Sequence, residues 1–256
     1  MKIYHYTSID TLKKIISNKC IRFNRLDLLD DKSEYKHSST VHDINIQLGR
    51  YTFVSCWTKY EMENIDLWNR YGRSDKGVRI GMDEDMFVTY DVGTQNKSFF
   101  NEREYYFQNF KISSYINSVS LKDVIYKQDI INYYKEAIKD FKYGIAFKYD
   151  NIGIYKKKEW ELQNESRFII HAIPFEPSLI NNNLLSIPYS ISEAYKRHME
   201  LSEKSLYIAL KREAFDNMEI IMGAKTTYDD RVSVENMLKE HNINAIIKES
   251  ALKGDL

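Results

Sequence analysis

Three short stretches of this 256-residue chain carry side chains that could act together chemically. His5-Tyr6-Thr7 closes a short apolar run just before a capped helix. Backbone N–H groups are unsatisfied at a helix start, so polar recognition collects there, and a histidine at that point can bind a ligand. A satisfied core histidine is the ordinary alternative. Glu165 and Arg167 lie two apart at the head of a run that continues Phe168-Ile169-Ile170. Residues two apart in a strand face one side, so these read as an ion pair, structural or catalytic. Gln163, two residues earlier, shares the face. Trp68 and Tyr71 are three apart on a helix and also share a face. Their rings either pack the core or stack on a ligand ring.

Two charged clusters read as solvated. Asp27, Asp30, Asp31 and Glu34 fall in a polar stretch. Such carboxylates can hold a divalent cation, but a solvated turn is their commoner use. Lys156-Lys157-Lys158 reads as a solvated face that, beside Glu165, could meet phosphate oxygens. His37 and His42 are five apart in a polar segment, a poor ligand spacing, and read as a loop. No Gly-x-Gly-x-x-Gly, phosphate-loop, His-Glu-x-x-His or Gly-x-Ser-x-Gly motif occurs. The usual dinucleotide, triphosphate, zinc and hydrolase signatures are therefore missing. Cys20 and Cys56 sit in apolar, strand-like stretches without paired spacing, as reduced core thiols do.

Lys plus Arg and Asp plus Glu balance at 37 each, which leaves no electrostatic footprint for general duplex binding. Most of the 20 tyrosines fill half-buried faces, and some can stack on a base or a nicotinamide. The first ten residues lack the apolar core of a signal peptide, and no run approaches the roughly 20 apolar residues that cross a bilayer. A cytoplasmic protein with no membrane partner is expected. With only 3 Pro and 9 Gly and no linker-like stretch, residues 1–256 read as one domain, with an inserted segment at about 84–150.

The elements that must position these side chains follow from periodicity. Lys2–Tyr6 is a strand, and Thr7 or Ser8 caps a helix whose Ile9, Leu12, Ile15 and Ile16 face the core until Asn18. Cys20–Phe23 and Tyr51–Trp57 are strands, the second β-branched and aromatic throughout. Residues 61–71 form a helix that Gly72 ends, before a strand over 77–81. Residues 104–116 suit a hairpin, and 128–142 a helix with Ile130, Ile131, Tyr134, Ile138 and Phe141 on its buried face. The run from Glu165 to Ile173 is a strand. The last third reads as a strand over 205–210, a turn of helix, a strand over 219–222, a helix over 230–241 ending at a left-handed Asn242, and a strand over 244–248. Without regular strand–helix alternation, this predicts an α+β, largely antiparallel fold.

In order, the pattern is His-Tyr-Thr; Arg22-Phe23; Leu29-Asp30-Asp31 with Glu34; Ser55-Cys56-Trp57; Leu67-Trp68 with Tyr71 and Gly72; Gly77-Val78; Lys158, Trp160, Glu165 and Arg167; then Ile220-Ile221-Met222-Gly223. It resembles the bacterial domain-of-unknown-function family twenty-nine seventy-one, from Tyr4 to about Lys248. Asp30-Asp31-Lys32 departs from that family's Asn-Asp-Pro, and Gln163 stands where the family tends to have an acidic residue.

A strand ending in His-Tyr-Thr, the helix after it and a late glutamate also resemble the ADP-ribosyltransferases, including their DNA-modifying toxin branch. Gln163-Asn164-Glu165 is similar to their Gln/Glu-x-Glu signature. The resemblance implies a strand-rich ADP-ribosyltransferase-like core with peripheral helices, NAD as substrate and no metal. It implies a catalytic set of Glu165, His5 and Tyr71. His5, Tyr6, Thr7, Arg22, Trp68, Gln163 and Arg167 would bind the dinucleotide, with Tyr6 or Tyr71 on nicotinamide and Arg22 or Arg167 on the pyrophosphate. Arg167 could instead only orient Glu165. The implied activity is mono-ADP-ribosylation of a protein or nucleic acid by a toxin or phage-defence effector, with an inhibitor or antitoxin protein as a further partner. NAD hydrolysis, a non-catalytic nucleotide sensor and a metal-dependent nuclease built on the acidic turn are the alternatives.

Overall fold

A computed structural model describes residues 1–253, apart from 35–37, 42–43, 75, 94–95, 142–143, 184 and 200. His37 and His42 lie outside the described residues. The chain is a mixed α+β fold, with mainly antiparallel sheets and few helices.

The main sheet has nine strands. They are β1 (Lys2–Thr7), β2 (Cys20–Arg25), β3 (Thr52–Thr58), β4 (Val78–Asp83), β5 (Lys122–Asp123), β6 (Glu165–His171), β7 (Ser205–Ala209), β8 (Glu219–Met222) and β9 (Ile246–Glu249). Their order is β5-β6-β3-β1-β4-β8-β9, with β2 joining β3 and β7 joining β2. Every pairing in it is antiparallel except β8 with β9, which a helix over Tyr228–Glu240 connects.

One branch in this sheet creates the site. Along one edge β3 pairs with β6 over its whole length, from Thr52 opposite His171 to Thr58 opposite Glu165. Along the other edge it pairs with two different strands. Phe53 and Val54 face Arg25 and Asn24 of β2, while Thr58 faces Tyr4 of β1. Ser55, Cys56 and Trp57 in between have no strand partner on that side. The sheet is therefore split between β1 and β2.

The helix α1 (Ile9–Asn18) spans the turn between those two strands. Ser8 caps it by accepting from the Thr11 amide, and Leu12, Ile15 and Ile16 are buried, as their spacing requires. The left-handed Lys19 (φ 48°) stops it. The second helix, α2 (Ile65–Arg70), is shorter than its sequence suggested and is capped by the Asn64 side chain. Gly72 follows it for steric reasons, because a Cβ there would lie 2.3 Å from Cε3 of Trp68.

A helix over 128–142 does not form. Only Ile131–Glu136 is helical, and Ile138–Phe141 pairs with Gly144–Phe147 instead. β-branched and aromatic residues suit a ladder, and they spend their backbone hydrogen bonds there. The hairpin expected within 104–116 is present, Glu104–Phe107 against Phe110–Ser113. Phe99, Phe110, Ile112 and Ile138 of the middle segment share one core with Ile3, Phe23, Phe53, Phe168 and Met222. No helix among the described residues is long and apolar enough to cross a membrane.

Candidate functional site

A cleft of about 570 Å³ opens at the split in the sheet. Strand alternation decides which side chains reach it. In antiparallel register Tyr4 lies opposite Thr58, and Thr58 opposite Glu165, so these share a face with Cys56 and Arg167. His5 and Trp57 belong to the opposite face, where their rings meet at 5.2 Å. In an unbroken sheet His5 and Glu165 would be screened from each other. The split lets both line one cleft.

His5 Nδ1 lies 2.9 Å from the Cys56 carbonyl oxygen, one of the backbone groups left without a strand partner. A carbonyl can only accept, so Nδ1 carries the proton and Nε2 of the neutral ring is an acceptor. Burial, and then the charge of Arg22, hold this imidazole below its ordinary pKa.

Glu165 enters from the far side on β6. Asn164, left-handed at φ 44°, turns the chain from a short 3-10 helix (Lys158–Gln163) into the strand. The Tyr126 hydroxyl accepts from the Glu165 amide at 2.9 Å. Glu165 Oε1 accepts from Arg167 Nε at 2.5 Å, and Oε2 from Lys156 Nζ at 2.9 Å. Burial alone would raise this carboxyl, but the guanidinium and ammonium outweigh it and hold it well below the usual carboxylate range. Glu165 is thus an anion and a hydrogen-bond acceptor, not a proton donor. The neighbouring Cys56 thiol is pushed up by burial and then by the Glu165 charge, so it stays protonated.

Tyr71 follows α2 at the cleft rim, and its hydroxyl lies 3.4 Å from Gln163 Nε2. Gln163 Oε1 accepts from Lys156 Nζ at 2.7 Å. Arg22 and Arg73 also line the cleft, both exposed and without a carboxylate partner among the described residues. Arg70 does too, its guanidinium stacked 4.7 Å from the Trp160 ring. Unpaired guanidinium groups at a cleft mouth suit phosphate oxygens.

The structure therefore brings together His5, Tyr6, Thr7, Arg22, Tyr71, Gln163, Glu165 and Arg167, eight of the nine residues singled out from sequence. It does not bring Trp68. That ring is fully buried, packs edge-on against Tyr6 at 5.0 Å and donates to Glu63. Its helical spacing serves the core. Tyr6 is likewise 5% exposed, with its hydroxyl accepting from the Asn64 amide. Arg167 is 0% exposed, and Glu34, Glu165 and the Gly153 carbonyl take up its donors. With four of its five N–H donors taken and the group fully buried, it is withdrawn from a pyrophosphate and orients Glu165 instead.

Both charged clusters depart from the solvated reading. Lys156 is buried and lies on Gln163 and Glu165, whereas Lys157 and Lys158 are half-exposed. In the acidic turn Glu34 is buried against Arg167, Asp31 accepts from Ser33, and Asp27 pairs with Arg25. These three carboxylates serve separate partners. Among the described residues no His/Cys/Asp/Glu group is arranged to hold a metal ion. Cys20 and Cys56 are free and half-buried, and Cys56 packs beside Leu26, Val54 and Ile169.

Comparison with family models, curated proteins and solved structures finds no match to this chain. Geometry alone thus points to the residues that sequence reading missed, namely Lys156, Glu34 and Cys56. Lys156 stood near Glu165 in the chain, while Glu34 belonged to the acidic turn and, with Cys56, to the ordered motif pattern. Charge runs ordinarily face water, so burial overrode the pattern.

Proposed function

We propose that this cleft binds NAD and transfers its ADP-ribose to a protein or nucleic-acid acceptor. The observation that carries the reading is the convergence of His5, Tyr71 and Glu165, from three distant segments, on one cleft at the split in the sheet. In this reaction the bond between ribose C1′ and the nicotinamide nitrogen breaks, and its electron pair neutralises the departing ring. Positive charge develops on the ribose, as in glycoside chemistry. A fixed anion beside that sugar is the main requirement, with no general acid needed for the leaving group.

Each group has a place in this scheme. The ionised Glu165 accepts from a ribose hydroxyl and steadies the developing cation. His5 accepts from a hydroxyl through Nε2. Tyr71, 36% exposed at the rim, stacks on nicotinamide. Arg22, with Arg73, meets the pyrophosphate. Transfer to a macromolecule is the activity expected of a toxin or phage-defence effector, and an inhibitor protein would cover the same cleft. The acceptor nucleophile bonds to C1′ and gives up its proton to solvent.

The test incubates the protein with NAD labelled in the adenylate half and a cell extract, and compares wild type with Glu165→Gln. Label appearing on protein or nucleic acid, and lost in the variant, is the expected result. Nicotinamide release without labelled product would assign hydrolysis instead. Binding of NAD with no turnover would make the cleft a sensor. Label that persists in Glu165→Gln would overturn the reading.

A further inference from the structure

Behind the cleft lies a buried cluster of four charged side chains, Glu34, Lys156, Glu165 and Arg167. They come from the acidic turn, the Tyr155–Lys157 strand and β6. Two are anions and two are cations, so the cluster is neutral overall. Buried ion pairs of this kind add little net stability over apolar residues of the same volume. Their effect lies in orientation.

We propose that Lys156 is a positioning residue for this site. Its one ammonium reaches Gln163 Oε1 at 2.7 Å and Glu165 Oε2 at 2.9 Å, and so locks both side chains of the Gln163-x-Glu165 pair toward the cleft. This rests on the ADP-ribosyl transfer reading and extends it to how the site is held.

The stereochemistry follows from donor and acceptor inventories. An ammonium has three donors and no lone pair, so Gln163 must turn its oxygen to Lys156. Its amide nitrogen is then left facing the Tyr71 hydroxyl at the rim. Glu165 is gripped at both oxygens by different cations, Oε1 by Arg167 and Oε2 by Lys156. The protonated Cys56 thiol also donates to this carboxylate, which leaves one lone pair for a ribose hydroxyl. Glu34 stands behind both cations, with two bonds to Arg167 and a 3.5 Å contact to Lys156. It stops either cation from swinging toward the substrate phosphates. Among the described residues, the other groups that act on Glu165 are Cys56 on β3, the Tyr126 hydroxyl and Tyr71. None of these is a cation, so loss of Lys156 leaves Oε2 without a charged partner.

The test uses the full chain and two variants. Lys156→Met removes the ammonium at nearly constant length. Lys156→Met with Glu34→Gln removes one charge of each sign and leaves Arg167 paired with Glu165, so it folds even where the single variant does not. The expected result in the folded variants is KM for NAD within about threefold of wild type, with kcat lower by about 100-fold, the scale of a small misplacement of a reacting group. The acid limb of kcat at saturating NAD, where the effect of His5 on KM drops out, should also move upward toward the ordinary carboxylate range. Unchanged kcat, or an acid limb that stays in place, would overturn the proposal. A ¹³C titration of labelled Glu165 reads the same grip without turnover. If the wild type does not consume NAD, an upward shift in the variants supports the hold of Lys156 on Glu165 and removes only the transfer reading. No shift overturns the hold itself.

Discussion

His5 donates from Nδ1 to the carbonyl oxygen of Cys56, 2.9 Å away across the split in the sheet. In a continuous sheet that carbonyl would accept from a neighbouring strand, and the imidazole would be free to rotate. Here the missing ladder bond fixes the ring and its tautomer together. The split thus provides both the cleft and the orientation of one of its walls.

The tautomer makes His5 testable. His5→Asn can still donate to the Cys56 carbonyl but presents no Nε2 acceptor. It should melt within a few degrees of wild type and raise KM for NAD by about tenfold, the worth of one hydrogen bond. Because burial and Arg22 lower the folded pKa below 6.5, the ring is neutral at pH 7. Acidification through that lowered value turns Nε2 into a donor. KM should therefore stay flat from pH 8 past the ordinary 6.5 and rise only as the lowered value is crossed, and a rise that begins at or above pH 6.5 would overturn the neutral-ring assignment.

Arg167 should behave as a structural cation. Arg167→Met strands Glu34 and weakens the hold on Glu165, and breaking a buried pair from one side costs about 3–5 kcal/mol. Arg167→Lys should fail similarly, since an ammonium cannot reproduce the forked bonds to Glu34. Urea unfolding reads both. A variant of full stability whose KM for NAD alone rises would restore the pyrophosphate role.

Acid should destabilise the protein in two stages. His171 is buried and lowered from 6.5 to about 3, first by burial and then by the charge of Lys122. Its folded pKa lies below its unfolded one, so the stability linked to the neutral ring is complete above pH 6.5 and is lost as pH falls toward 3. Glu165 is lowered from 4.5, so its contribution is present above pH 4.5 and is lost on further acidification. The urea midpoint should fall gently from pH 6.5 and more steeply below 4.5. His171→Asn should flatten the first stage, and Glu165→Gln the second.

Gly72 should tolerate no side chain. A Cβ would meet Trp68 at 2.3 Å on the ring and 2.9 Å on the carbonyl oxygen. Its φ is not left-handed, so the constraint is close approach. Gly72→Ala should cost about 1–3 kcal/mol, as overpacking does. At 2–4 °C per kcal/mol for a chain of this size, calorimetry should show a fall of several degrees.

Much of the frame was legible in order and spacing. Ser8 and Asn18 bracket α1 as their residue types require, and Asn242 takes the left-handed position that ends the last helix. The β-branched, aromatic run at 52–58 became the central strand. The alternation at Glu165 and Arg167 correctly placed their side chains together, whereas Gln163 joins them from the end of the 3-10 helix through Lys156, not by strand alternation. The segment 138–141 was misread because Ile and Phe three apart satisfy a helix period, while the hairpin that claims them depends on a partner strand.

What the sequence determined by itself was local: which runs are helix or strand, where they stop, and which neighbours share a face. Tertiary structure alone decided that β3 would be shared between two diverging strands, because strand choice depends on distant pairing partners. That split brought His5, on one face, into a cleft with Glu165 on the other. It also decided that Lys156 and Glu34 would be buried and Trp68 withdrawn into the core. Charge and aromaticity are properties of one residue, but burial is set by what the rest of the chain places around it.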